Sequence, residues 1–195
     1  MVLIPDTTSR ITPSPTVNKT ATTTANQTPK AANKTAKQSA LSKGIWAEAL
    51  VAHWLQAQGW EILHRRWHSP VGELDLVARS LTPSPTLAFV EVKARSSGNW
   101  DAGGLLAVTP RKQTKLWQTA HLFLAQSPDS ANLPCSFDVA IVQCRRSHLP
   151  KIAHPPDPLH LQISKPVELG ERVAIAGYDL TLEQYIWGAF DLPSL

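Results

Sequence analysis

Residues 72–79, GELDLVAR, and 89–95, FVEVKAR, decide how this chain is read. Successive side chains on a strand point to opposite faces, so the first stretch puts Leu74, Leu76 and Ala78 on one face and Glu73 and Asp75 on the other. In the second, Val90 and Val92 share a face, and Phe89, Glu91 and Lys93 take the opposite one. Between them lies TPSP (82–85), whose two prolines cannot continue a ladder and therefore form the connection. If the two strands make a hairpin, Asp75 and Glu91 converge.

Two carboxylates brought together repel unless a cation or a proton resolves the conflict. A hard divalent ion such as Mg²⁺, with Mn²⁺ as the alternative, takes one or two carboxylates and leaves its other positions to water and substrate phosphate. Lys93, on the face of Glu91, adds a fixed positive charge. Such a set suits hydrolysis of a phosphodiester, in which charge builds on phosphate oxygens. Lys93 acts as general base if its surroundings bring its pKa towards neutrality; otherwise it orients water and offsets charge.

Outward from this pair, Lys43–Gln58 places Trp46, Leu50, Val51, Trp54, Leu55 and Ala57 at helical spacing, with Ser42 as N-cap and Gly59 as the left-handed residue after the helix. Glu48 borders its apolar face. Trp60–Trp67 reads as a strand, followed by a turn at Ser69-Pro70. Thr109-Pro110 opens a second helix reaching about Leu124 and burying Leu116, Trp117, Ala120, Phe123 and Leu124. SFDVAIVQC (136–144) reads as a strand covered on both faces. The end of the chain reads as a strand-like VAIAGYDL and a short helix around Thr181–Trp187. The fold class is α/β: helix, three strands, helix, strand, with a central mixed sheet flanked by helices.

Charge divides unevenly along the 195 residues. Residues 1–47 hold six basic residues and one acid, Asp6; the remainder holds thirteen basic and fourteen acidic residues. The net +4 therefore belongs to the N-terminal stretch. Residues 1–41, rich in Thr, Ser, Ala, Asn, Lys and Pro, form an expected disordered cationic tail, ahead of a domain over 42–195 with its core at 43–144 and an appendage at 145–195. As a polycation the tail attracts phosphate-rich partners; as a transit peptide it has too few arginines. Cys135 and Cys144 cannot form a disulfide framework, and the seven His show no metal spacing. No apolar run approaches the ~18 residues that span a bilayer, and no secretory signal is visible, so the expected setting is a reducing cytoplasm, without membrane.

GELDLVAR, FVEVKAR, GIWAEALVAHWLQAQGW (44–60) and SFDVAIV together resemble the YraN-like family of predicted endonucleases, which is placed in the restriction-endonuclease-like PD-(D/E)xK superfamily. The resemblance covers roughly residues 43–144. It implies that Asp75 and Glu91 ligate the metal, that Lys93 is the catalytic lysine, and that Glu48 is a further carboxylate near the metal. It also implies a metal-dependent endonuclease; the expected partner is nucleic acid, with DNA favoured over RNA. Two positions depart from the family pattern: RRW (65–67) stands where an Arg-Asn-aromatic run is expected, and Ser136 replaces an arginine.

Blander readings stand beside these. Asp75, Glu91 and Lys93 could form an exposed salt bridge at a sheet edge, and Glu48 could be a solvated helical acid. Arg66, Arg95, Arg111, Lys112 and Lys115 are candidates for contact with a nucleic-acid backbone, or are simply exposed cations. Arg111, Lys112 and Lys115 sit at a helix N-terminus, where a bound phosphate explains cations that the helix dipole disfavours. Trp46, Trp54 and Trp117 belong to the core; Trp67 and Trp100 are candidates for base stacking. The rival function is a nucleic-acid-binding module of the same fold without turnover, and a third reading is a protein-interaction scaffold.

Overall fold

The protein, a computed structural model, is described for residues 29–96, 108–148, 157–158, 161, 163 and 165–191, with side chains from Leu41 onward. The expectation for residues 1–28, and that for Trp100, lie outside the described residues.

Helix α1 (Pro29–Ala57) begins well before Ser42, which lies inside it and is not its N-cap. This corrects the expected disorder over residues 29–41. The run KAANKTAKQSA is rich in Ala and Lys, which propagate a helix once one is anchored downstream. That anchor is firm: Trp46, Leu50, Val51, Trp54 and Leu55 are all buried. Gly59 takes φ +86°, and the Trp60 N–H returns to the Leu55 carbonyl at 3.0 Å, closing the helix as expected.

Strands β1 (Glu61–His68), β2 (Glu73–Ser80) and β3 (Thr86–Ser96) follow as an antiparallel meander. Helix α2 (Pro110–Ala125) starts where expected, and Thr109 caps it, its Oγ1 accepting from the Lys112 N–H at 3.4 Å. Strand β4 (Cys135–Arg146) then pairs parallel to β3. The chain closes with β5 (Arg172–Ile175) and β6 (Tyr178–Ile186), joined by Ala176-Gly177, both at positive φ, as a tight right-twisted hairpin requires. The six-stranded order is β1-β2-β3-β4-β6-β5.

Two expectations fail at this end. Thr181–Trp187 is strand over Thr181–Ile186, because Leu180 and Leu182 alternate into the core and the run is rich in β-branched and aromatic residues. The segment expected as an appendage is also part of the sheet: β6 pairs along β4 from Arg146↔Tyr178 to Val139↔Ile186.

The sheet lies between two apolar layers. On one face α1 packs on Leu76, Ala78, Ala88, Val90, Ala140, Val142, Leu180 and Leu182. On the other, Leu116, Ala120 and Phe123 of α2 pack on Val77, Leu87, Phe89, Phe137, Val139 and Ile141. Each buried Leu or Phe contributes about 1.5–3 kcal/mol. Trp67 belongs to this second layer, edge-on to Phe123 at 5.4 Å, and is not a free stacking surface. Among the described residues no helix is long and apolar enough to cross a membrane.

Candidate active site

The β2–β3 ladder runs from Ser80↔Thr86 to Leu76↔Val90. Beyond it the strands part, and the Asp75 carboxylate takes over: its Oδ2 accepts the Val92 N–H at 2.8 Å. The strict alternation expected for GELDLVAR breaks here, since Leu74 packs in the α2 layer and Leu76 in the α1 layer. Where a strand leaves its partner, main-chain pairing no longer holds the pleat, and a side chain can satisfy the exposed donor.

Glu91 is only 4% exposed. Its Oε1 accepts from Lys93 Nζ at 2.6 Å. Its Oε2 forms an ion pair with Lys112 Nζ of α2 at 3.0 Å, yet receives no aligned hydrogen bond. Burial, and then the Glu91 charge, push the Asp75 carboxyl up to about 7, against the pull of the Val92 N–H; Glu48 adds to the rise and Lys112 opposes it. Glu48 is also raised, chiefly by burial, with Arg66 opposing and with Glu73 and Glu91 adding. The carboxylates therefore interact through a poorly solvated space, and the bland reading of an exposed edge pair does not describe them.

Arg66 joins two of these acids. Its Nε donates to Glu73 Oε1 at 2.9 Å and lies 4.0 Å from Glu48 Oε2. It does so from a left-handed backbone, φ +52°, a conformation that favours Asn over most residues. The departure from the Arg-Asn-aromatic pattern falls on this residue. A guanidinium here bridges Glu48 and Glu73 at the cost of a strained backbone.

The remaining cations separate into two groups. Arg111 and Lys115 are exposed on the first turns of α2, and Arg95 is partly buried on the strand face that carries Glu91 and Lys93. Lys112 is instead turned inward onto Glu91, a contact that the charge pattern alone did not reveal. Asp138 was also missed. It is fully buried in β4, and accepts from Tyr185 Oη and from the Gly188 N–H, each at 2.9 Å. A carboxylate inside the apolar run FDVAIV was the available signal. A cleft of about 330 Å³ by the β2–β3 turn, lined by Trp60, Ser136 and Trp187 among others, is lined by none of the candidate carboxylates.

Among the described residues no group of three or more His, Cys, Asp or Glu side chains is gathered to hold a metal ion. A cation here would rest on two carboxylates, Asp75 and Glu91. Their hard oxygens, and the buried Glu91 Oε2 without an aligned donor, fit a Mg²⁺-type ion that keeps most of its waters.

A mixed six-stranded sheet between two helices, with two acids and a lysine at the opening of its β2–β3 hairpin, defines an α/β protein compatible with a restriction-endonuclease-like core. The chain belongs to the Uncharacterised protein family UPF0102, which matches residues 47–142 and thus every candidate from Glu48 to Lys115. Among its relatives, the UPF0102 proteins of Trichodesmium erythraeum and Acaryochloris marina are each 49% identical over 160 residues. These matches cover 77% and 78% of this chain and 89% and 91% of the relatives. The UPF0102 protein of a Synechocystis species is 46% identical over 147 residues, covering 75% of this chain and 96% of its own.

Proposed function

We propose that this protein is a Mg²⁺-dependent endonuclease that hydrolyses nucleic-acid phosphodiester bonds, with DNA as substrate, in a reducing cytoplasm. The reading is carried by one observation: Asp75 and Glu91, from strands that part at this point, share a desolvated space with Lys93 paired to Glu91 at 2.6 Å.

Asp75 and Glu91 would hold the cation, which supplies charge neutralisation at the phosphate and acidity to an attacking water. Asp75 is kept in place by the Val92 N–H on its Oδ2, which limits the freedom of the carboxylate to turn. Lys93, hydrogen-bonded to Glu91 Oε1 at 2.6 Å, is held beside the pair, which supports it as a group that orients water and meets charge on the phosphate. Glu48, steered by Arg66, keeps a further acid beside the pair. Arg95, Arg111 and Lys115 offer cations to the flanking phosphates.

The binding-module reading draws on a specific feature, the neutralisation of Glu91 by two lysines. A cleavage assay separates the two. Branched, single-stranded and duplex DNA, and the matching RNA, are incubated with Mg²⁺ and wild-type, Asp75→Ala or Lys93→Ala protein, with band-shift assays in parallel. Cutting by the wild type, reduced at least about a hundredfold in both variants while binding persists, supports the enzyme. Binding without cutting supports the module, and undiminished cutting by both variants rules out this site.

A further inference from the structure

Lys112 stands out among the charges that the proposed chemistry does not use. It lies in the first turn of α2, a turn without any acidic residue and at the helix end that repels cations. Its ammonium nevertheless folds inward to within 3.0 Å of Glu91 Oε2, a buried oxygen with no aligned hydrogen bond, while Oε1 is already held by Lys93.

We propose that Lys112 is a tethered stand-in for the divalent cation: it neutralises Glu91 while the site is metal-free and must give up Oε2 for a metal to bind there. This inference rests on the reading of Asp75 and Glu91 as the metal ligands. Three observations support it. Lys112 contacts the oxygen that lacks an aligned donor, the one that can accept a new partner without breaking a good hydrogen bond. At 37% exposure its side chain has solvent to move into, whereas Glu91 is buried and fixed in β3. Lys93 also holds the other oxygen, Oε1, so Lys112 can leave with the acid still paired. Because stand-in and metal compete for one oxygen, displacing the ion pair lowers the apparent metal affinity, and removing the lysine raises it.

The test is Mn²⁺ titration calorimetry on the full chain stripped with chelator, comparing wild type, Lys112→Met, Lys115→Met and Asp75→Asn. Lys115, exposed on the same helix, controls for loss of one positive charge without contact to Glu91. The expected result is about tenfold tighter Mn²⁺ binding in Lys112→Met, less than about twofold change in Lys115→Met, and at least about tenfold weaker binding in Asp75→Asn. A second readout is acylation of Lys112 by an amine reagent, followed by mass spectrometry. It should rise severalfold in wild type on adding Mn²⁺ and stay flat in Asp75→Asn. Mn²⁺ binding that appears only in Lys112→Met also supports the stand-in. Asp75-dependent binding that Lys112→Met leaves unchanged or weakens, that both methionine variants tighten equally, or that leaves Lys112 acylation flat, overturns the stand-in and spares the metal site. Binding indifferent to Asp75→Asn, or absent from wild type and Lys112→Met alike, overturns the metal site and the stand-in with it.

Discussion

Asp75 is bonded to the main chain of Val92: its Oδ2 accepts the Val92 N–H at 2.8 Å at the point where β2 and β3 part. Val92 separates Glu91 from Lys93, so this one bond holds an acid of β2 against the two charged residues of β3. The carboxylates cannot relax their repulsion by moving apart without giving up that bond.

The repulsion should appear in stability. The folded-state pKa of Asp75, about 7, lies above its ordinary value of 3.8, so native protein keeps a proton that unfolded chain has lost. The resulting stabilisation is fully present below about pH 4 and is lost as pH rises through about 7. In chelator-treated protein, denaturant melts at pH 5 and pH 8 should show the wild type losing on the order of 1–3 kcal/mol more than Asp75→Asn. Parallel pH profiles would show that Asp75 is not destabilised by its neighbours.

Arg66 offers a backbone test. Replacement by Ala or Asn removes the ion pair with Glu73 in both cases, but only Asn is at ease at φ +52°. Chemical denaturation should find Arg66→Asn more stable than Arg66→Ala by about 0.5–1 kcal/mol. The reverse order would mean that left-handed strain at this position is negligible.

Close packing of α2 against the β1–β2 turn can be tested at Gly72. A Cβ added there would lie 2.9 Å from Thr119 Oγ1, and that hydroxyl is buried and donates to the Lys115 carbonyl at 2.7 Å. Gly72→Ala should cost about 1–3 kcal/mol. In a Thr119→Ala background most of that cost should vanish. A thermodynamic cycle on the four proteins measures the coupling, and additivity would refute the contact.

Tyr185→Phe removes a donor from a buried acid. Burial raises the Asp138 carboxyl, while Gly188, Tyr185 and Ser136 hold it down by hydrogen bonding. Without the Tyr185 hydroxyl the folded-state pKa rises further, so the added destabilisation grows as pH increases and the carboxylate must ionise. Urea melts should show a loss of about 1–3 kcal/mol, larger at pH 8 than at pH 5. A loss larger at pH 5 would contradict this account of Asp138.

The sheet was legible where the sequence alternates or runs apolar without a break: β2, β3 and β4, with α2 opening at Thr109-Pro110, follow directly from pattern. Asp75, Glu91 and Lys93 were legible as neighbours because one proline-bearing turn folds β2 back onto β3 and period-two spacing pairs Glu91 with Lys93, whereas the break in alternation beside Asp75 was not legible. What stayed hidden depends on contacts distant in sequence. The inward turn of Lys112 needs α2 to lie across β3, and the left-handed backbone of Arg66 has no residue-type signal when Arg occupies the position. The long start of α1 was obscured because Ala and Lys serve equally in solvated tails and in helices. Thr181–Ile186 misled because a strand at the end of a chain shows its pairing only once β4 is there to receive it.

The matched family span ends at residue 142, four residues before β4 itself ends. A fragment clipped there would lose β6, which pairs with β4 from Val139 onward, and with it both the Tyr185 and Gly188 donors to Asp138. It would present a naked row of amides and carbonyls on a central, two-sided apolar strand, the kind of surface that recruits a second copy. A piece cut to the matched span therefore leaves out the hairpin that closes this edge of β4.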